Sequence, residues 1–132
     1  MGLFFMNLLT REWIEKADGD LHTAQRELRA RRQPNYDAAC FHAQQTAEKY
    51  LKAWLQEFGK EIPRTHNLVD LVSLCIETDE AFVILEPDLR GLDGYAVRIR
   101  YPGQSASKDE ASKAVKIGNT VRFFVRLRIG FE

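Results

Sequence analysis

Residues 36–58 constrain this chain more than any other stretch. On a helical wheel at about 100° per residue, Tyr36, Cys40, Ala43, Ala47, Tyr50, Leu51, Trp54, Leu55 and Phe58 share one arc. That arc covers more than half the circumference, whereas a helix lying on a surface needs only a narrower stripe. So wide an apolar face demands contact with several other helices, which makes this segment the centre of the fold. Asn35 is placed to cap its start and Gly59 to end it.

Two residues conflict with that face. Gln44 projects between Leu51 and Leu55, and Glu48 lies beside Phe41 and Leu55 at the edge of the arc. His42, Gln45, Lys49, Lys52 and Gln56 fall on the opposite side, where water is expected. A buried amide needs hydrogen-bond partners, and a buried carboxylate needs them more. One reading is a closed structural network, with Glu48 paired to an arginine of another helix. The other is a polar cleft at a helix–helix or subunit interface. Spacing by itself favours the structural network.

Helical periodicity recurs along the rest of the chain, and strand-like alternation does not. A first helix runs from about Arg11 to Arg31, with Thr10 as cap and Trp13, Ala17, Leu21, Ala24 and Leu28 as its stripe. Arg26, Arg29, Arg31 and Arg32 complement the negative end of that helix. A short third helix covers about His66 to Glu77, capped by Thr65. The fourth covers about Asp79 to Arg100. Pro87, Gly91 and Gly94 weaken it and predict a kink or restart near Glu86. "SKDE", Ser107 to Glu110, is a capping box opening a fifth helix that reaches about Arg128. Helices joined by short loops make an all-α, up-and-down antiparallel bundle of four to five helices.

The length of 132 residues suits one domain. We divide it into an apolar leader, residues 1–9, and a bundle, residues 10–132. The leader is too short to span a bilayer and lacks the basic start of a signal peptide. Met6 stands where a myristoylation motif wants Ser or Thr, so no membrane association is expected. Lysine plus arginine equal aspartate plus glutamate at 19 each, so only local patches could favour a nucleic acid. Cys40 and Cys75 both lie in apolar helical patterns, as free thiols of a cytoplasmic protein do. No CxxC, paired histidine or carboxylate–histidine cluster offers a metal site, and no phosphate loop or nucleophile elbow is present. No cofactor is expected. His42 is expected to face water, and His66 to sit in the first turn of the third helix.

"RIRYPG", Arg98 to Gly103, places two guanidiniums and Tyr101 at a helix end before a rigid turn. Arginine forks match phosphate oxygens, and tyrosine can stack on a base. The plainer reading is a helix-end cap with a packing tyrosine.

Four stretches together resemble the HEPN family (higher eukaryotes and prokaryotes nucleotide-binding). They are "WIEKADGDLHTAQ" (13–25), "YDAACFHAQQTAEKYLKAWL" (36–55), "PRTHNLVDL" (63–71) and "RYPG" (100–103). The resemblance covers Trp13 to about Arg126. It implies a helical bundle, usually a homodimer, of a kind that often accompanies a small nucleotidyltransferase, as toxin and antitoxin or as substrate-binding and catalytic halves. It also implies nucleotide or RNA binding, for which the matching positions are Arg98, Arg100, Tyr101, Gln44, Glu48, Lys52 and His66. Gln44 and Glu48 match the family's Q-x-x-x-E pair, with Lys52 one turn on, and a Glu48 facing Arg98 or Arg100 would account for both buried polar groups. Many members are metal-independent RNases with an arginine, four to six residues, then a histidine. This chain departs there: no histidine follows His66, and no arginine stands at the required distance before one. The resemblance therefore favours a binding partner over an enzyme. The alternatives are a metal-independent RNase toxin with a degenerate site, and a purely structural dimeric partner.

Overall fold

A computed structural model describes residues 6–130. The terminal residues, and with them the first half of the apolar leader, lie outside the described residues. Five α-helices follow one another: α1 Leu8–Arg29, α2 Tyr36–Glu57, α3 Leu68–Thr78, α4 Glu86–Arg98 and α5 Lys108–Ile129. A 3-10 segment, Glu80–Leu85, leads into α4. No strand occurs among the described residues.

The four long helices alternate in direction, giving the expected up-and-down bundle. α1 runs against α2: the Asn7 amide donates to Glu57, the Thr46 hydroxyl to the Ala17 carbonyl, and His42 meets Asp20. α3 is an insert that runs in the same sense as α2. The chain returns through residues 58–67, so His66 sits beside Glu48 while Thr78 accepts from the Trp54 indole. One end of the bundle thus gathers the close of α1 and α4 with the start of α2 and α5.

α2 is central, as its wide arc requires. Every residue from Tyr50 to Leu55 is buried, Lys52 included. Phe58 is an exception to the expected face. It is the residue after the helix, 49% exposed, with its ring on Trp54 at 4.2 Å. α5 approaches α1 and α2 closely at Gly118, where an added Cβ would stand 3.5 Å from Leu21 and 3.7 Å from the Ala43 carbonyl.

Caps explain where the helices begin. Asn35 caps α2, and Ser107 and Glu110 form the reciprocal box of α5, both as expected. Two expected caps are corrected. Thr10 is buried inside α1, and Asn7 caps that helix instead, accepting from Leu9 N at 2.7 Å. Thr65 accepts from Asn67 N, but Asn67 itself caps α3 by accepting from Asp70 N at 2.9 Å. His66 therefore precedes α3 rather than lying in its first turn. The restart near Glu86 is present: α4 begins there with Pro87 in its first turn, where a missing N–H leaves nothing unsatisfied.

Candidate functional site

Four of the sequence-selected residues come together. Glu48, 3% exposed, is the hub. Lys52 Nζ lies 3.0 Å from its Oε2, and His66 Nδ1 lies 3.0 and 3.1 Å from its two oxygens. Gln44 donates to the His66 carbonyl at 2.8 Å and accepts from Gln45 at 2.9 Å. The expected pairing of Glu48 with Arg98 or Arg100 is thus corrected: its partners are the Lys52 ammonium and the His66 ring. Lys52 itself is corrected from the wet side to 6% exposed, because Trp13 of α1 covers it at 5.7 Å. The return loop lies over this part of α2, and the Gln44 and Glu48 contacts hold its end down. A carboxylate only accepts, so Nδ1 is the donor in this contact. The His66 side chain is 72% exposed.

Asp93 of α4 supports the same corner. Its Oδ2 accepts from Leu68 N at 2.8 Å and Val69 N at 3.2 Å, satisfying the first turn of α3. Burial pushes its carboxyl above the usual carboxylate range, against the hydrogen bonds from Val69, Leu68 and Gln44.

Arg98, Arg100 and Tyr101 form a separate group. Arg98 contacts the Cys40 level of α2 electrostatically, about 12 Å along the helix axis from Glu48. Its Nη2 donates to Glu110 at 2.6 Å, while its buried Nε has no partner. Arg100 and Tyr101 are exposed in the turn after α4, and no partner of either side chain is found among the described residues. Gly103, at φ 83°, closes that turn.

The Arg98 guanidinium, with the Ser107 amide, holds the Glu110 carboxyl down from 4.5 to about 2. A depressed carboxyl stabilises the fold above its free value, and that stability is lost as pH falls through the folded one. Glu110→Gln should therefore melt below wild type at about pH 6, with the gap closing towards about pH 2.5. Thermal melts across that range check it; a gap that stays constant contradicts the pairing.

Two polar networks escaped sequence reasoning. Asp20 accepts from Lys49 Nζ at 2.5 Å and lies 2.8 Å from His42 Nδ1, so His42 is held rather than simply solvated. Asp18 takes the Tyr50 hydroxyl, Arg122 Nε at 3.0 Å and Arg126 Nη1 at 3.3 Å. Burial and the Asp18 carboxylate push the Tyr50 hydroxyl well above its ordinary value. The available signal was the "DGD" pair at the edge of the α1 stripe. Among the described residues no three His, Cys, Asp or Glu side chains group as metal ligands, and no helix is long and apolar enough to cross a membrane.

A family model described as the HEPN domain matches residues 10–128. The chain belongs to the HEPN family. Among solved structures this HEPN chain is similar to TT1696 from Thermus thermophilus, at 27% identity over 90% of this chain and 97% of that one, TM-score 0.77. It also shares its fold with ST0689, an archaeal HEPN homologue, at 24% identity over 91% and 97%, TM-score 0.73. No curated protein matches it.

Proposed function

We propose that this HEPN protein binds a nucleotide or RNA phosphate at the turn after α4, through Arg100 and Tyr101 with Arg98 behind them. In this reading it is a cytoplasmic homodimer and the partner of a small nucleotidyltransferase in a toxin–antitoxin-like pair. One observation carries the binding site: Arg100 is exposed without a carboxylate, beside a Tyr101 that is 63% exposed. A free guanidinium next to a flat ring suits phosphate with a stacked base. The resemblance of the sequence to family members that accompany nucleotidyltransferases supports the partner. The outward face of α4 supports the homodimer. Gly91 and Gly94 are exposed there, and a Cβ on either would meet nothing within 4 Å. Two glycines that weaken a helix have a physical use if a second helix approaches closely. Glu48 and Lys52 bind each other, and Gln44 holds the His66 carbonyl, so these groups fix the return loop apart from the turn, with His66 as their exposed member.

His66 favours a second reading, the degenerate RNase. A buried carboxylate orienting an exposed imidazole is an arrangement suited to general acid–base work. One experiment addresses both. Labelled single-stranded RNA and nucleotides are titrated in chelator, with light scattering for the mass of the complex. Arg100→Ala with Tyr101→Ala is expected to weaken binding by roughly 10²-fold at unchanged melting temperature, with RNA left intact. Unchanged affinity in that variant sinks the binding site. Cleavage by wild type that His66→Ala abolishes replaces the binding reading with the enzymatic one.

A further inference from the structure

The end of the bundle where α1 closes and α2 opens carries a second cationic feature. A hollow of about 500 Å³ lies there, lined by Arg29, Arg31, Pro34, Tyr36, Lys108 and Ser112 among others, with no acidic side chain in its wall. Arg29, Arg31 and Lys108 have no ion-pair partner among the described residues, and neither do the neighbouring Arg26 and Arg32. The cations elsewhere are often engaged: Lys49, Lys52, Arg90, Arg98, Arg122 and Arg128 all meet carboxylates. A chain of zero formal net charge has therefore left a group of unmatched positive charge at one corner.

The helix dipole explains only part of it. Arg26 and Arg29 lie in the last turn of α1, where a cation is favourable. Arg31 and Arg32 lie beyond the helix, where that field has faded. Lys108 opens α5, the positive end of a helix, where a cation is unfavourable and an anion is welcome. Converging cations in a wall without acids raise the potential inside the hollow, and a bound anion relieves it. Guanidinium forks fit phosphate oxygens in pairs, the Ser112 hydroxyl adds a donor, and Tyr36 gives a flat wall.

We infer that this hollow is a phosphate-binding subsite, separate from the turn after α4. It stands on its own cations and does not require that turn to bind anything. Its phosphate comes either from an oligophosphate, as in a nucleotide, or from a polynucleotide backbone. The second source has a path: Tyr36 also lines a shallow depression that reaches Ser105 and Ala106, in the loop that follows Arg100 and Tyr101, and the carboxylate in its wall, Asp37, accepts from the Ala106 amide at 2.6 Å.

The test uses three probes on the full chain: inorganic tripolyphosphate, a labelled single-stranded RNA of about 12 nucleotides, and polyglutamate. The triple variant Arg29→Gln, Arg31→Gln and Lys108→Gln is compared with a triple elsewhere, Lys16→Gln, Lys60→Gln and Arg64→Gln. All six positions are exposed, and melting curves confirm that both variants fold. Charge reversal at the loop position alone, Arg31→Glu, gives a second reading of the same site. The hollow variant is expected to weaken a phosphate probe roughly tenfold or more. For RNA the slope of log affinity against log salt should become shallower by about 2, since each lost phosphate contact removes about 0.7. Loss for both probes assigns free phosphate as a sufficient ligand, and loss for RNA alone assigns the backbone. The subsite is overturned if wild type binds neither probe, or if neither is weakened in the hollow variant. It is also overturned if the two triples lose equally, or if polyglutamate binds as tightly as RNA and is lost with it. The Arg100→Ala, Tyr101→Ala protein, run in parallel, keeps tripolyphosphate binding through the hollow whether or not the turn binds RNA, so the two sites fail separately.

Discussion

Glu48→Ala is expected to cost about 3–5 kcal/mol of folding stability, because it strips the carboxylate from a buried ammonium. Lys52 is 6% exposed beneath Trp13, so water cannot replace the lost partner cheaply. The His66 ring also loses its acceptor, which loosens the return loop. Lys52→Met should cost less, since Glu48 keeps His66 and Gln45. The double replacement Glu48→Leu, Lys52→Met should recover most of the loss, because a buried ion pair exchanged for packed apolar groups is often neutral. Urea unfolding of wild type and the three variants measures these differences. A single Glu48→Ala within about 1 kcal/mol of wild type would falsify the sealed pair. Glu48→Gln separates structure from binding: if the network is structural, it lowers stability but leaves the RNA affinity of the folded protein unchanged.

Phe82→Ala should cost a similar amount, about 3–5 kcal/mol, by opening a cavity at the far end of the bundle. Phe82 is fully buried, with ring centroids 4.7 Å from Trp54 and 4.9 Å from Phe124. It is the residue through which the 3-10 segment joins α2 to α5. Val83 and Ile84, next in the chain, are 59% and 70% exposed. Their alanine variants should stay within about 0.5 kcal/mol of wild type, because surface truncations usually do. Thermal unfolding of the three variants tests the contrast, and equal losses at all three positions contradict this packing.

The architecture was legible because α2 announces it. An arc wider than half a turn leaves few arrangements other than a central helix among others, and the capping box at Ser107 marks a helix start through purely local chemistry. Asn7 was missed because Thr10 is also a favoured cap by type and stands nearer the apolar stripe. What favours Asn7 is in part its amide's bond to Glu57, a contact across the bundle that a linear reading cannot see. The candidate site was half legible. Gln44 and Glu48 declared themselves by falling on an apolar face. Their partners did not, since a wheel projects one helix in isolation and assigns Lys52 to water. Trp13 and the return loop decide otherwise. The cationic hollow was invisible for a related reason. Arg29 and Arg31 looked like a helix-end cluster and Lys108 like part of a capping box. Only the alternation of helix directions brings them to one corner.

Cys40 and Cys75 give the folded chain a built-in clock. Both are fully buried, and burial pushes their thiols up to about 11 and about 12, so almost no thiolate exists near neutrality. The Cys75 thiol also donates to the Leu51 carbonyl across the α2–α3 contact. A thiol-reactive dye must therefore wait for that contact, or the start of α2, to open. The labelling rate then reports how often each end of the central helix breathes, with no engineered probe.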